Sequence, residues 1–423
     1  MNKTWIYKRF KKHHAPQTYT LYLLNFWDHF DSALYSFLAP WLGVIFFPTQ
    51  DILLASMGIY GVLWTSSLVA APAGAFIFGL LAKRFSPEYA LRCSALGVGI
   101  STLAIACLPS YSMASMASPL LLIFFRGLLS LCAKGDHTII QSYGMQEKTF
   151  PQRIKHSMKV EIFTLSGLFS ASMLSMILVQ FSHIRTYLWR LPFFVGGVAI
   201  LFLLKHRRNH LRSLSLPDAP PCSTETSFSW KLILEFACVS SLSYVTYATA
   251  FQVFNVFIPK VTSLSFEGML FGNTFWLGLD MLCIIGIGRT IETMHPLKVM
   301  RPAALALALT SIPLFWGLKL YPHVAYVFFL RGWIVFCGVS YALPLMAWLC
   351  HFSKGSSSYL HIGLGTVLGT LFLGYGTPVI SLFLYRQSQW VGAPGVPLTV
   401  SALLALFGQA RLLQRKKIHD ILS

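Results

Sequence analysis

The sequence predicts an all-α membrane protein, with twelve transmembrane helices in two six-helix halves around a central cavity. Three observations predict it. Of 423 residues, 55% are hydrophobic and only 11% charged, and the mean hydropathy is +0.62. Soluble domains average about a quarter charged residues, so this chain cannot cover its surface in water and must face lipid. Its apolar residues fall into runs of the length a spanning helix needs, about 20 residues. Its basic residues cluster in the gaps between those runs, where membrane topology is encoded.

Six runs come first, at roughly 20–47, 55–82, 91–108, 119–147, 158–182 and 190–204. The first carries acids and is too long for a cleavable signal peptide, so it reads as a spanning helix. A polar break holds Lys205, Arg207, Arg208, Arg212 and the Ser-Leu-Pro-Asp-Ala-Pro-Pro stretch at 215–221. Six more runs follow, at roughly 231–258, 267–288, 302–320, 323–350, 359–385 and 398–413. The expected organisation is a basic tail (1–19), an N-terminal half (20–204), a linker (205–230), a C-terminal half (231–413) and a second basic tail (414–423). Six, a linker and six suggests two parallel repeats.

Charge placement tests the count. With the N-terminus inside, 23 of the 33 Lys and Arg lie in cytoplasmic tails and loops, and 5 on the opposite side. That is the asymmetry of the positive-inside rule. Removing one helix would put the C-terminal cluster on the wrong side. Both termini are therefore expected in the cytoplasm, and the location expected is a cell membrane, the inner membrane of a bacterium. The net charge of +19 would suggest nucleic acid in a soluble protein. Here it sits in the loops, so the partners expected are lipid and a small-molecule substrate, with the chain a monomer.

Glycine is dense in two runs: Gly74 and Gly79 with Pro72 in the second, and Gly363, Gly365, Gly369, Gly374 and Gly376 before Pro378 in the eleventh. Small residues let spanning helices approach closely, and Pro378 can add a bend. The eight cysteines are scattered, with no CxxC and no His at ligand spacing, and read as small hydrophobes. There is no P-loop, GxSxG or HExxH motif. No enzyme activity, metal or cofactor is expected.

Ionisable residues inside spans cost roughly 2.5–3.5 kcal/mol on insertion scales and are usually retained for a function. In the first run Asn25, Asp28, Asp31 and Tyr35 share one 120° face at helical spacing. Two acids one turn apart repel, so one of them must hold a proton unless a cation intervenes. Alternatively Asp28 sits at the water interface and only one acid is buried. In the fourth run stand Arg126, Lys134, Asp136 and His137. Lys134 and Asp136 lie 200° apart around the axis and cannot pair. Arg126, whose planar fork suits carboxylates, is the best partner for a first-helix acid or a substrate carboxylate; a purely structural ion pair is the alternative. Glu161, Glu235, Asp280 and Arg331 form no legible constellation.

The stretch Asn25-Phe-Trp-Asp28-His-Phe-Asp31-Ser-Ala-Leu-Tyr35-Ser-Phe-Leu-Ala39, followed by Phe46-Phe47-Pro48, resembles the first helix of the metabolite:proton symporters. These belong to the major facilitator superfamily and include proline/betaine and α-ketoglutarate permeases. The pattern there is N-x-x-E-W-[FY]-D-x-x-x-Y-x-[FY], with Asp28 standing at the glutamate. Leu108-Pro109-Ser110-Tyr111, Pro119 to Leu122, Arg126 and Trp189-Arg190-Leu191-Pro192-Phe193 match further stretches in order. The family's Gly-Gly-Glu appears as Lys134-Gly135-Asp136. In the second half the likeness rests on hydropathy and fragments such as Tyr244-Val-Thr-Tyr247.

The resemblance implies a major facilitator fold and proton-coupled symport of a small organic carboxylate, zwitterion or osmolyte. It points to Asn25, Asp28, Asp31, Tyr35, Arg126, Lys134, Asp136 and Tyr247 as substrate or proton-coupling residues. Asp31, one turn deeper than Asp28, is the expected coupling acid. The superfamily's cytoplasmic G-x-x-x-D-R-x-G-R loop falls on Gly79-Leu-Leu-Ala-Lys83-Arg84-Phe-Ser86-Pro87, where its Asp is Lys, its second Gly is Ser and its last Arg is Pro. Gly79, Lys83 and Arg84 are the gating positions, and their departure raises the alternatives of an uncoupled facilitator or exchanger, or of a transporter turned sensor or scaffold.

Overall fold

A computed structural model describes residues 22–49, 51–85, 87–143, 149–181, 187–211, 229–292, 294–352 and 358–422. Within these helices the side chains of 82, 83, 87, 88, 134–143, 179, 206–211, 358–360 and 416–422 are not described.

The N-terminal half begins with α1 over residues 22–37, which resumes after Leu38 as Ala39–Phe46. Then come α2 (Ile52–Arg84), α3 (Pro87–Ala106), α4 (Ala117–Tyr143), α5 (Phe150–Val179) and α6 (Arg190–Leu211). The C-terminal half holds α7 (Trp230–Ala248, then Thr249–Val253 and Phe254–Val261), α8 (Phe266–Ile291), α9 (Leu297–Gly317) and α10 (Val324–Leu349). It ends with α11 (Ser358–Gly369, Thr370–Tyr375, Gly376–Ser388) and α12 (Gly395–Leu422). Among the described residues a helix thus stands at each of the twelve apolar runs, with one further short helix at Tyr111–Ala114. Nine spans among the described residues are long and apolar enough to cross a bilayer.

Local chemistry sets the ends and the irregularities. Asp51 caps α2 by accepting from the Leu53 amide (2.9 Å), and Ser265 caps α8 by accepting from that of Gly268 (3.1 Å). Thr149 and Gln152 form a capping box at α5. The α1 break follows from Pro40, which has no N–H for the Ser36 carbonyl; the Tyr60 hydroxyl reaches that carbonyl instead, at 3.1 Å. Two π turns interrupt the C-terminal half, Thr249–Val253 in α7 and Thr370–Tyr375 in α11. The second stands just before Pro378, which cannot donate to Gly374, and the Thr377 hydroxyl donates to Leu373 there.

The charged helix ends extend further than hydropathy showed. Helix α6 continues to Leu211, into the stretch read as linker, and α12 continues to Leu422, into the stretch read as tail. Lys, Arg and Gln are good helix formers and lower hydropathy without ending a helix. The rest of the linker, 212–228, and the first tail lie outside the described residues. None of the described cysteines is in a disulfide.

Each half is held by glycine at a backbone contact between its first and fifth helices. A Cβ on Gly167 (α5) would overlap the carbonyl oxygen of Phe26 (α1), and one on Gly369 (α11) that of Ala237 (α7). The halves touch at the end bearing the α1–α2 connection. There Gln252 Nε2 donates to Ser36 Oγ at 3.3 Å, and the Tyr60 hydroxyl lies 3.3 Å from the Gln252 carbonyl. Trp41 meets Phe266 edge-on at 4.7 Å, and Ser172 and Thr274 share a hydrogen bond of 2.9 Å. At the opposite end, Lys155 of α5 pairs with Glu292 after α8, at 3.3 Å.

Candidate functional site

Between the halves lies a cavity of about 230 Å³. Helices α1 and α5 supply Asp28, His29, Ser32, Glu161, Thr164, Leu165 and Leu168 to its wall, and α7, α8, α10 and α11 supply the rest. Because α7 presents Tyr244, Tyr247 and Phe251 at spacings of three and four, three aromatic rings share its inner face. Tyr247 meets Tyr244 at 5.7 Å and Phe251 at 5.4 Å, and Tyr375 of α11 closes edge-on upon Tyr244 at 5.0 Å. The volume falls just under the roughly 300–1,000 Å³ of most ligand pockets, so it suits a small solute.

The first-helix face divides its residues among three neighbours. Asn25 is buried and donates to Thr164 Oγ1 (2.8 Å) and the Val160 carbonyl (3.3 Å), tying α1 to α5. Asp28 is a quarter exposed, lies 4.0 Å from His29 Nδ1 and faces the cavity. His29 Nδ1 in turn donates to the Asn25 carbonyl at 2.8 Å. Asp31 turns toward α4 instead, where Arg126 Nη1 donates to Asp31 Oδ2 at 3.1 Å. Both side chains are almost fully buried, at 1% and 2% exposure. The guanidinium stacks 4.1 Å over the Tyr35 ring, whose hydroxyl donates to the Ile59 carbonyl (3.2 Å). This ion pair stands beside the cavity, and neither member is part of its wall.

The remaining expected positions are scattered. Tyr247 lines the cavity. Lys134 and Asp136 lie on α4, and Lys83 on α2, with side chains outside those described. Arg84 is exposed, 5.9 Å from the Phe85 ring, and Gly79 has open space beside it. Arg331, without a legible partner in the sequence, is buried on α10 between Phe254 and Phe251 and donates to Asn255 Oδ1 at 3.4 Å. Glu235 pairs with Arg415 at 3.3 Å and fastens α12 to α7.

Two site residues escape sequence reasoning. Glu161 of α5 and Asp280 of α8 both line the cavity, from opposite halves. Each is a lone acid in its own apolar run. The one available signal is the cost of placing an acid there at all.

No family model matches the chain. A proline/betaine transporter of Staphylococcus aureus (strain COL) is 28% identical over 188 residues, 44% of this chain and 40% of that protein. This chain thus spans well under two thirds of that relative's length. The citrate-proton symporter of Salmonella typhi is 24% identical over 411 residues, 92% of each chain. A solved structure of a proton:xylose symporter of the major facilitator superfamily superposes with a TM-score of 0.71 at 12% identity, covering 94% of each chain. The chain has the major facilitator fold. Its relatives are transporters, not enzymes, and it is a multi-pass membrane protein. The major facilitator fold accounts for the cavity's place: ligand sites in repeat-built transporters lie near the midplane where the repeats meet.

Proposed function

We propose that the chain is a proton-coupled secondary transporter, a symporter that carries one small organic solute by alternating access. The observation that carries this reading is the cavity between the halves, closed by inter-half contacts at the α1–α2 end. Rocking of one half on the other breaks those contacts and forms others at the opposite end, exposing the cavity to each side in turn. Asp31 and Arg126 supply the coupling step. A proton on Asp31 weakens its hold on Arg126 and shifts α1 against α4; proton loss restores the pair. At the end of α2, Lys83 where the superfamily's loop has Asp removes that latch, and Lys155–Glu292 supplies an ion pair between the halves at the same end.

Uptake into proteoliposomes tests the proposal, with labelled betaine, proline, α-ketoglutarate, citrate and shikimate, each with and without an imposed pH gradient. Accumulation of one solute that collapses with the gradient is the expected result. Equilibration without accumulation would mean an uncoupled facilitator, and no uptake of any would leave the sensor or scaffold reading.

The orientation is proposed from the 23-to-5 distribution of Lys and Arg. Both termini face the cytoplasm of a bacterial cell, and the protein works as a monomer. A reporter active only in the cytoplasm should give signal when fused after Ser423 and none when fused at Ser112. The reverse pattern would overturn this orientation.

A further inference from the structure

We infer that the central cavity is a receptor for a positively charged nitrogen, with Glu161 and Asp280 as counter-charges and Tyr244, Tyr247 and Phe251 as aromatic wall. This rests on the transport reading and names its substrate class: small organic ammonium compounds, whether simple cations or the cationic end of a zwitterion.

The cavity's charge is one-sided. Among the described residues its wall holds Asp28, Glu161 and Asp280, and no Lys or Arg. Among the described wall residues, the one able to carry positive charge is His29, which lies beside Asp28. The neighbouring buried cations are engaged elsewhere, Arg126 with Asp31 and Arg331 with Asn255. Glu161 and Asp280 therefore line one cavity from opposite halves, and no Lys or Arg of the described wall accompanies them. Asp280 is 6% exposed, and its Oδ1 has no hydrogen-bond partner among the described residues. Two carboxylates in such surroundings cannot both stay charged unless a cation joins them.

The rings complete the recognition. Aromatic faces attract cations through their quadrupole, and quaternary ammonium groups, which cannot donate hydrogen bonds, are commonly held in this way. A dicarboxylate or tricarboxylate would instead meet three carboxyl groups and, among the described residues, no Lys or Arg to pair with. The inference thus separates this chain from its citrate-carrying relative by charge rather than by size.

The test is binding of choline to the purified detergent-solubilised protein, compared with 3,3-dimethylbutan-1-ol, its neutral isostere, and with citrate. Choline should bind at least tenfold tighter than the isostere, and citrate should not compete. Glycine betaine competing as well as choline would assign the zwitterion; choline alone binding would assign the simple cation; either supports the receptor. Asp280→Asn and Glu161→Gln, which remove charge without changing shape, should each weaken choline at least tenfold and leave the isostere unchanged. Equal affinity for choline and the isostere, no choline binding, or effective competition by citrate would overturn the inference. Because the wild-type comparison needs no variant, a misfolded variant does not blunt it. Because it needs no vesicle, discrimination without uptake would sink the transport reading alone, and proton-driven citrate uptake without choline binding would sink this inference alone.

Discussion

Asp31→Asn and Arg126→Gln, each alone, should destabilise the protein by about 3–5 kcal/mol, because each leaves one buried charge without its partner. The surroundings offer no replacement. Arg126 is 1% exposed with Tyr35 stacked on its face, and both Asp31 Oδ1 and Arg126 Nε already lack partners among the described residues. The double variant Asp31→Asn/Arg126→Gln removes both charges together and should recover most of that loss, read as the thermal midpoint in detergent. Function should separate from stability in the same set. Neither the double variant nor Asp31→Asn, where it folds, should accumulate substrate against a gradient, although exchange across the membrane continues. A double variant as unstable as the singles would show that the pair is not the source of the effect. An Asp31→Asn protein that concentrates substrate at the wild-type level would remove Asp31 as the coupling acid and make Asp136 the next candidate.

Gly74→Ala should be damaging out of proportion to one methyl group. A Cβ at Gly74 would overlap the Leu131 carbonyl oxygen of α4, and that obstacle is backbone, which cannot rotate away. Overpacking of this kind costs about 1–3 kcal/mol. The same seam carries the Ser67–Ser130 hydrogen bond (2.8 Å) and sets where α4 presents Arg126. Gly61→Ala is the control on the same helix. A Cβ there meets nothing within 4 Å, and replacing a helical Gly by Ala gains up to about 1 kcal/mol. Thermal midpoints of the two variants should therefore fall on opposite sides of wild type, or nearly so. Equal midpoints would mean that α2 and α4 are not in backbone contact at Gly74.

Sequence and structure agree where a property belongs to one helix and diverge where it belongs to several. Twelve runs became twelve helices because lipid demands a length and an apolar composition that hydropathy counts directly. Asp31 and Arg126 were legible as a candidate pair, because a charge in lipid advertises its need for a partner. Spacing alone placed Asn25, Asp28, Asp31 and Tyr35 on one face, but a 120° face touches more than one neighbour. Asn25 went to α5, Asp31 to α4, and Asp28 alone to the cavity. Glu161 and Asp280 were seen singly and not as a pair, since nothing in a linear chain says that α5 of one half lies against α8 of the other. The π turns were also invisible, because one surplus residue leaves the hydropathy of a span unchanged.

Those π turns make the two halves unequal in their inner mechanics. Each represents one residue more than a regular helix would need over the same rise, accommodated locally without ending the helix. Such a bulge is translatable: hydrogen bonds exchanged on one side of it are recovered on the other, and the segment it passes through turns by about 100°, the angle of a single residue. Tyr244 and Tyr247 lie within two turns before the bulge of α7, and Tyr375 at the end of the bulge of α11. Sliding either bulge re-aims a ring while the helix axis stays where it is. The C-terminal half thus has an adjustment that works like a ratchet click inside a rigid rod. The described part of the N-terminal half contains no such turn. On the transport reading proposed above, gripping and releasing the solute would be local events in α7 and α11, timed independently of the larger swing that opens the cavity.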